Sequence, residues 1–132
     1  SAYTDCFLAE NLVRKYLAAK GVTLLKGVKK EAEDWRTKEA LRKGEANISF
    51  NIRKTSDDLS YLGMNSLAVS AEGNKDTKNK QSLWTDAIAY LPVRNVVGHT
   101  GLLTDNGKSH LSLKYENIKA RVKKLVSDYD TE

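Results

Sequence analysis

The chain has 132 residues, 40% hydrophobic and 30% charged, a globular balance that excludes a disordered tract and leaves room for one core rather than two. Cys6 is the only cysteine, so no internal disulfide can form, which favours a reducing compartment such as the cytoplasm, and one cysteine with two scattered histidines does not make a zinc site. The net charge of +5 is compatible with an anionic partner such as RNA, although a solvated lysine-rich surface explains the same excess.

The first predicted helix covers about Thr4 to Lys20, capped by Thr4 or Asp5 and ended by Gly21. Leu8, Leu12, Tyr16 and Ala19 fall on one face, widened by Val13 and Leu17, and Cys6 reads as a core residue beside them. A second amphipathic stretch, about Thr23 to Lys43, offers Leu24, Leu25, Val28, Ala32, Trp35, Ala40 and Leu41 and stops at Gly44. Ile48, Phe50 and Ile52 alternate within residues 47–53, the pattern of a short strand or of an extended link pinned on the core. Ser56-Asp57-Asp58 opens a third helix, with Leu59, Leu62, Leu67 and Val69 inward, which ends before Gly73. The polar run Gly73 to Lys80 reads as an exposed, mobile loop.

A fourth helix begins near Ser82 and carries Leu83, Trp84, Ala87, Ile88 and Leu91. Pro92 lies inside its pattern, removes a backbone donor and is expected to kink or interrupt it just before Arg94. Thr104 and Asp105 can cap a last helix to about Val126, whose stripe is Leu111, Tyr115, Ile118, Val122 and Leu125. Both tryptophans, Trp35 and Trp84, fit apolar faces and read as core, and the basic run Lys119 to Lys124 with Arg121 reads as a solvated face. The whole is an all-α chain, an antiparallel bundle of four to five helices in one domain, with no apolar run long enough to cross a bilayer.

Chemistry concentrates in Arg94-Asn95-Val96-Val97-Gly98-His99. A guanidinium can clamp a phosphate bidentately and stabilise charge that develops on it, and an imidazole titrates near neutral pH and serves as acid or base. Five positions apart on a straight helix the two side chains point roughly 140° from each other. A break near Pro92 or Gly98 would let them share one cleft. The plain alternative is a satisfied histidine at a helix end and a surface arginine in an ion pair. His110 reads as a helix-surface residue, and there is neither a glycine-rich phosphate loop nor a nucleophile elbow, so no cofactor or metal is expected.

Arginine, a polar residue that is often asparagine, a short spacer and then histidine is the mark of HEPN domains, helical bundles whose active members cut RNA, and Arg94, Asn95 and His99 match it in order. Residues from about Ser82 to Val126 resemble that family best. The first helix, in Glu10-Asn11-Leu12-Val13-Arg14-Lys15-Tyr16-Leu17, resembles the family's opening helix, where an acidic residue can support the site; Glu10 is the candidate here. Gly101-Leu102-Leu103-Thr104-Asp105 and Glu116-Asn117-Ile118-Lys119-Ala120-Arg121 are similar to HEPN tails of larger bacterial multidomain proteins, and an opening on Ser1 rather than Met is what an excised domain would show. The resemblance implies a metal-independent endoribonuclease, a toxin or phage-defence effector, with a homodimer that joins two Arg94/His99 sets in one composite cleft and a regulatory or antitoxin protein, or an upstream domain, as further partner. HEPN proteins paired with a nucleotidyltransferase often carry tyrosine two residues after the histidine. Gly101 stands there, which argues against a modified-tyrosine antitoxin system. The competing reading is a non-catalytic helical module that dimerises or binds nucleic acid or protein.

Overall fold

The structure, a computed structural model, describes residues 1–72 and 82–131, with side chains to Ser127. The lysine-rich run Gly73 to Lys80 lies outside the described residues. Five α-helices follow one another: α1 (Ala2–Lys20), α2 (Lys26–Glu45), α3 (Met64–Glu72), α4 (Leu83–Gly98) and α5 (Asp105–Thr131), with a 3-10 turn at Asp58–Tyr61. No strand occurs among the described residues. They pack as a helical bundle in which α4 lies against α5 and α3, and α1 against α5 and α3.

The core follows the helical period. Cys6, Ala9, Val13, Tyr16 and Leu17 of α1 meet Met64, Leu67, Ala68 and Ala71 of α3, Leu83, Ala87 and Tyr90 of α4, and Leu111, Ile118 and Val122 of α5 in one cluster. Trp84 packs against that cluster. Burial also pushes the Cys6 thiol pKa up, so this cysteine is a packing residue rather than a nucleophile. No helix among the described residues is long and apolar enough to cross a membrane.

Several boundaries and faces differ from expectation. α1 starts two residues early because Ser1, not Thr4 or Asp5, supplies the cap, its Oγ accepting from the Thr4 amide at 3.3 Å. Leu8, expected inward, is exposed. α2 begins at Lys26, runs through Gly44 and buries only Val28 and Ala32, leaving Leu25, Trp35 and Leu41 exposed. Residues 47–53 form turns and bends rather than a strand, with Phe50 and Ile52 exposed, since no second strand is present among the described residues to take the backbone bonds. The third predicted helix is split: the 3-10 turn ends at Tyr61, Leu62 and Gly63 are non-helical, and α3 starts at Met64.

α4 passes through Pro92 without interruption. The missing bond costs little here because both Pro92 and Ile88, whose carbonyl loses its donor, are exposed and water can serve it. Thr104 caps α5 as expected, its Oγ1 accepting from the Gly107 amide at 3.0 Å. Arg121 departs from the solvated face assigned to it. Its Nε turns to Asp86 Oδ2 at 3.7 Å, while Lys114 Nζ stands 3.7 Å from Oδ1 and Asn117 donates to Oδ1 at 3.3 Å. One buried carboxylate of α4 thus gathers three positions of α5. Asp86→Ala would leave the two cations facing each other, and we expect it to lower unfolding free energy in urea by about 1–3 kcal/mol. A variant as stable as wild type would show that the three contacts hold nothing.

Candidate functional site

α1 and α4 meet through two pairs of residues one turn apart. On α1, Cys6 and Glu10 share a face; on α4, Tyr90 and Arg94 do. Glu10 is 6% exposed and Tyr90 is fully buried. The Tyr90 hydroxyl lies 3.2 Å from Glu10 Oε2 and 3.3 Å from the Cys6 carbonyl oxygen, with one proton to share between them. Burial and the adjacent Glu10 carboxylate drive the Tyr90 phenol far above its ordinary range, so it remains a donor. Arg94 Nε completes the set at 3.4 Å from both Glu10 oxygens. That separation is long for a charge-assisted bond, which runs about 2.7–2.9 Å. Glu10 therefore aims the guanidinium loosely and leaves its Nη atoms for another acceptor. The side chain of Arg94 is 40% exposed. Its Nη1 lies over Gly98, where an added Cβ would come within 2.7 Å of it, so the glycine one turn on gives the guanidinium space along the helix.

Two adjoining cavities share this corner. The smaller, about 280 Å³, is bordered by Glu10, Arg94 and Gly98 with Tyr3 and Phe7 at its rim. The larger, about 590 Å³, adds Asn95 from α4, Glu31 and Trp35 from α2, and Asn65 from α3. Glu10, Arg14, Arg53, Ser60 and Arg94 line both. A further groove of about 900 Å³, mostly apolar and lined by Phe7, Leu8, Leu12 and Leu59, touches Arg14 but neither Arg94 nor His99.

The structure brings Glu10, Arg94 and Asn95 to one groove and does not bring His99 there. His99 is exposed, lines none of these cavities and caps the C-terminus of the uninterrupted α4. The turn after it is closed by the Thr100 amide donating to Val97 O at 3.0 Å and the Gly101 amide to Val96 O at 2.8 Å, a Schellman arrangement with Thr100 at φ 58°. A β-branched residue in that region is strained by about 1–2 kcal/mol. A Cβ on Gly101 would meet Val96 Cγ1 at 2.8 Å and Val96 O at 3.1 Å, so this position has no room for a tyrosine without a shift. No ring nitrogen of His99 has a hydrogen-bond partner among the described residues. His110 differs: it is half-buried, not a surface residue, and its Nε2 sits 2.7 Å from the Ala89 carbonyl oxygen. Of the two histidines, His99 alone has no hydrogen-bond partner among the described residues.

Sequence reasoning missed Arg14, Arg53 and Trp35. Arg14 had a legible signal, one turn after Glu10 on α1. Arg53 had none, because its place depends on the path of the segment after α2. Among the described residues no three histidine, cysteine, aspartate or glutamate side chains gather as metal ligands. No protein-family model, curated protein or solved structure matches the chain.

Proposed function

We propose that this domain is a metal-independent endoribonuclease whose complete site forms between two copies of the chain. The observation that carries the reading is the Arg94 guanidinium, aimed by buried Glu10 from 84 residues away and left with unbonded Nη atoms at an open groove. The 2′-hydroxyl of RNA attacks the adjacent phosphorus, and the P–O5′ bond breaks. One proton passes from the 2′-hydroxyl to a base and another is delivered to the leaving 5′-oxygen, giving a 2′,3′-cyclic phosphate and a 5′-hydroxyl. His99 suits either proton transfer, and Arg94 holds the phosphate and the charge that builds on it. Asn95 adds an amide that can bond a phosphate oxygen. DNA lacks the attacking hydroxyl and is not cut.

Since one chain keeps His99 out of the groove of Arg94, the histidine that serves a given Arg94 is the partner subunit's His99. Exposed apolar side chains favour such pairing. Tyr3 and Phe7 border the groove of Arg94, while Val96 and the almost wholly exposed Leu102 flank His99. A two-fold contact that sets the first patch on the second covers both and brings guanidinium and imidazole together. An enzyme that destroys RNA also has to be restrained, so a regulatory protein or adjoining domain belongs to the reading. The separation of His99 from Arg94 within one chain equally favours a module that binds RNA without cutting it.

Incubation of single-stranded RNA with the protein in EDTA separates the two. We expect cyclic-phosphate ends, with His99→Ala and Arg94→Ala each slowing cleavage by about 10²–10⁴-fold. Cutting that is equal in wild type and His99→Ala, or binding with no cutting at all, overturns the nuclease.

A further inference from the structure

The groove beyond Arg94 is more elaborate than a single phosphate anchor requires. Three of the chain's six arginines line it, from three different elements: Arg14 on α1, Arg53 in the segment after α2, and Arg94 on α4. Like charges do not collect in one cleft without a cause, and here their fastening is informative. Arg14 donates from Nε to Leu59 O at 3.0 Å, from Nη2 to Leu62 O at 2.7 Å and from Nη1 to Asn11 Oδ1 at 3.3 Å. No carboxylate pairs with it among the described residues. A guanidinium held by neutral carbonyls is oriented without being neutralised. Burial, with the charges of Arg53 and Arg94 behind it, pulls the Arg14 pKa down against the pull of Glu10, yet an arginine stays protonated at neutral pH. Arg53 gives Nε to Glu39 at 2.7 Å and Nη1 to Ser60 O at 2.9 Å, which leaves Nη2 for the groove. The acids on the lining, Glu10 and Glu31, are engaged by Tyr90 and Arg94 and by the Ser66 hydroxyl.

The same cavity is also lined by Trp35, a residue 44% exposed where the helical pattern predicted core. Lys38 Nζ lies 4.8 Å from its ring centroid and adds a cation beside the indole. A flat aromatic beside fixed guanidiniums is the chemistry that takes a nucleobase by stacking and its phosphate by bidentate hydrogen bonds.

We propose that this cavity is a nucleotide subsite for single-stranded RNA next to the reacting phosphate, with a base stacked on Trp35 and the neighbouring phosphate held by Arg14 and Arg53. The subsite rests on the reading of Arg94 as a phosphate anchor and not on cleavage. It favours unpaired RNA, because a base already stacked in a duplex cannot reach the indole.

The test uses a fully 2′-O-methylated single-stranded hexanucleotide, which cannot be cut, and the whole chain carrying Trp84→Phe so that Trp35 is the only tryptophan and is excited selectively over the tyrosines. Titration is expected to quench Trp35 fluorescence. Anisotropy of the labelled oligomer is expected to show binding weakened about tenfold by Trp35→Ala, largely restored by Trp35→Phe, and weakened to a similar extent by Arg53→Gln, whose salt dependence also loses about one phosphate contact. The same oligomer made abasic binds without quenching. Unchanged Trp35 emission at saturating RNA overturns the subsite, as does unchanged affinity in both Trp35→Ala and Arg53→Gln, or equal quenching by an acidic peptide. The two readings fail separately: quenching by the methylated oligomer with no cleavage of ordinary RNA sinks the nuclease alone, and cleavage without quenching sinks the subsite alone.

Discussion

Mixing Arg94→Ala protein with His99→Ala protein, after exchange of subunits, is expected to restore RNA cleavage to about a quarter of the wild-type rate, although each variant alone is nearly inactive. The arithmetic follows from two-fold symmetry. Random pairing makes about half the dimers mixed, and each mixed dimer has one damaged and one intact site. In the intact site the Arg94 of the His99→Ala subunit meets the histidine of the Arg94→Ala subunit. If both groups acted within one chain, every site in every dimer would lack one of them and no activity would return. The geometry favours the first outcome: α4 is unbroken from Arg94 to Gly98, and His99 stands at its end outside the groove that Arg94 lines. Absence of rescue, with mixed dimers shown by mass spectrometry, would refute the shared site.

The second large effect concerns Tyr90, the largest fully buried side chain and the residue that positions Glu10. Tyr90→Ala is expected to cost about 3–5 kcal/mol, comparable with the whole stability of a small domain. Tyr90→Phe keeps the ring, costs about 1–2 kcal/mol and leaves the buried Glu10 with Arg94 as its remaining partner. The phenol also sets a pH limit. Its folded pKa lies above its unfolded value near 10, so its stabilising contribution is complete below pH 10 and is lost as pH rises further, when the unfolded chain gives up a proton that the folded one keeps. Urea titrations above pH 10 should show stability falling more steeply in wild type than in Tyr90→Phe, by about 1.4 kcal/mol per pH unit. Parallel slopes would mean that the phenol ionises as freely in the folded protein as in the unfolded one.

Much of the scaffold was legible because helices announce their ends and faces locally. Ser82 and Thr104 cap α4 and α5 where their side chains suggested, and Leu111, Ile118 and Val122 recur at the spacing of one buried stripe. What a sequence cannot carry is whether another element comes to cover a given face. α2 presents Trp35 in register with Val28 and Ala32, yet its main neighbour is the short 3-10 turn rather than a helix, and Trp35 stays exposed, as does Leu41 on the opposite side from Ala32. The alternation of Ile48, Phe50 and Ile52 suits a strand, but a strand needs a neighbour to bond with and none is present among the described residues. The site divides in the same way. Arg94, Asn95 and His99 stood together as a motif, and Glu10 was reached through its likeness to an opening helix. Its distance from Arg94, 84 positions along the chain, gives no local hint of pairing. Arg53 and Trp35 join the groove only because a non-helical segment and an outlying helix contribute to its lining.

That outlying helix has a consequence for how the protein responds to its ionic surroundings. α2 is fastened less by core than by charge: Arg36 grips Asp58 at 2.6 Å, Arg53 grips Glu39, and both guanidiniums lie against the Tyr61 ring, at 5.0 and 4.3 Å from its centroid. Electrolyte therefore acts twice, competing with nucleic-acid phosphates for the arginines and weakening the clasp that keeps Trp35 in the same cavity as them. The ion count inferred from the salt dependence of affinity should then exceed the number of phosphates the cleft can touch.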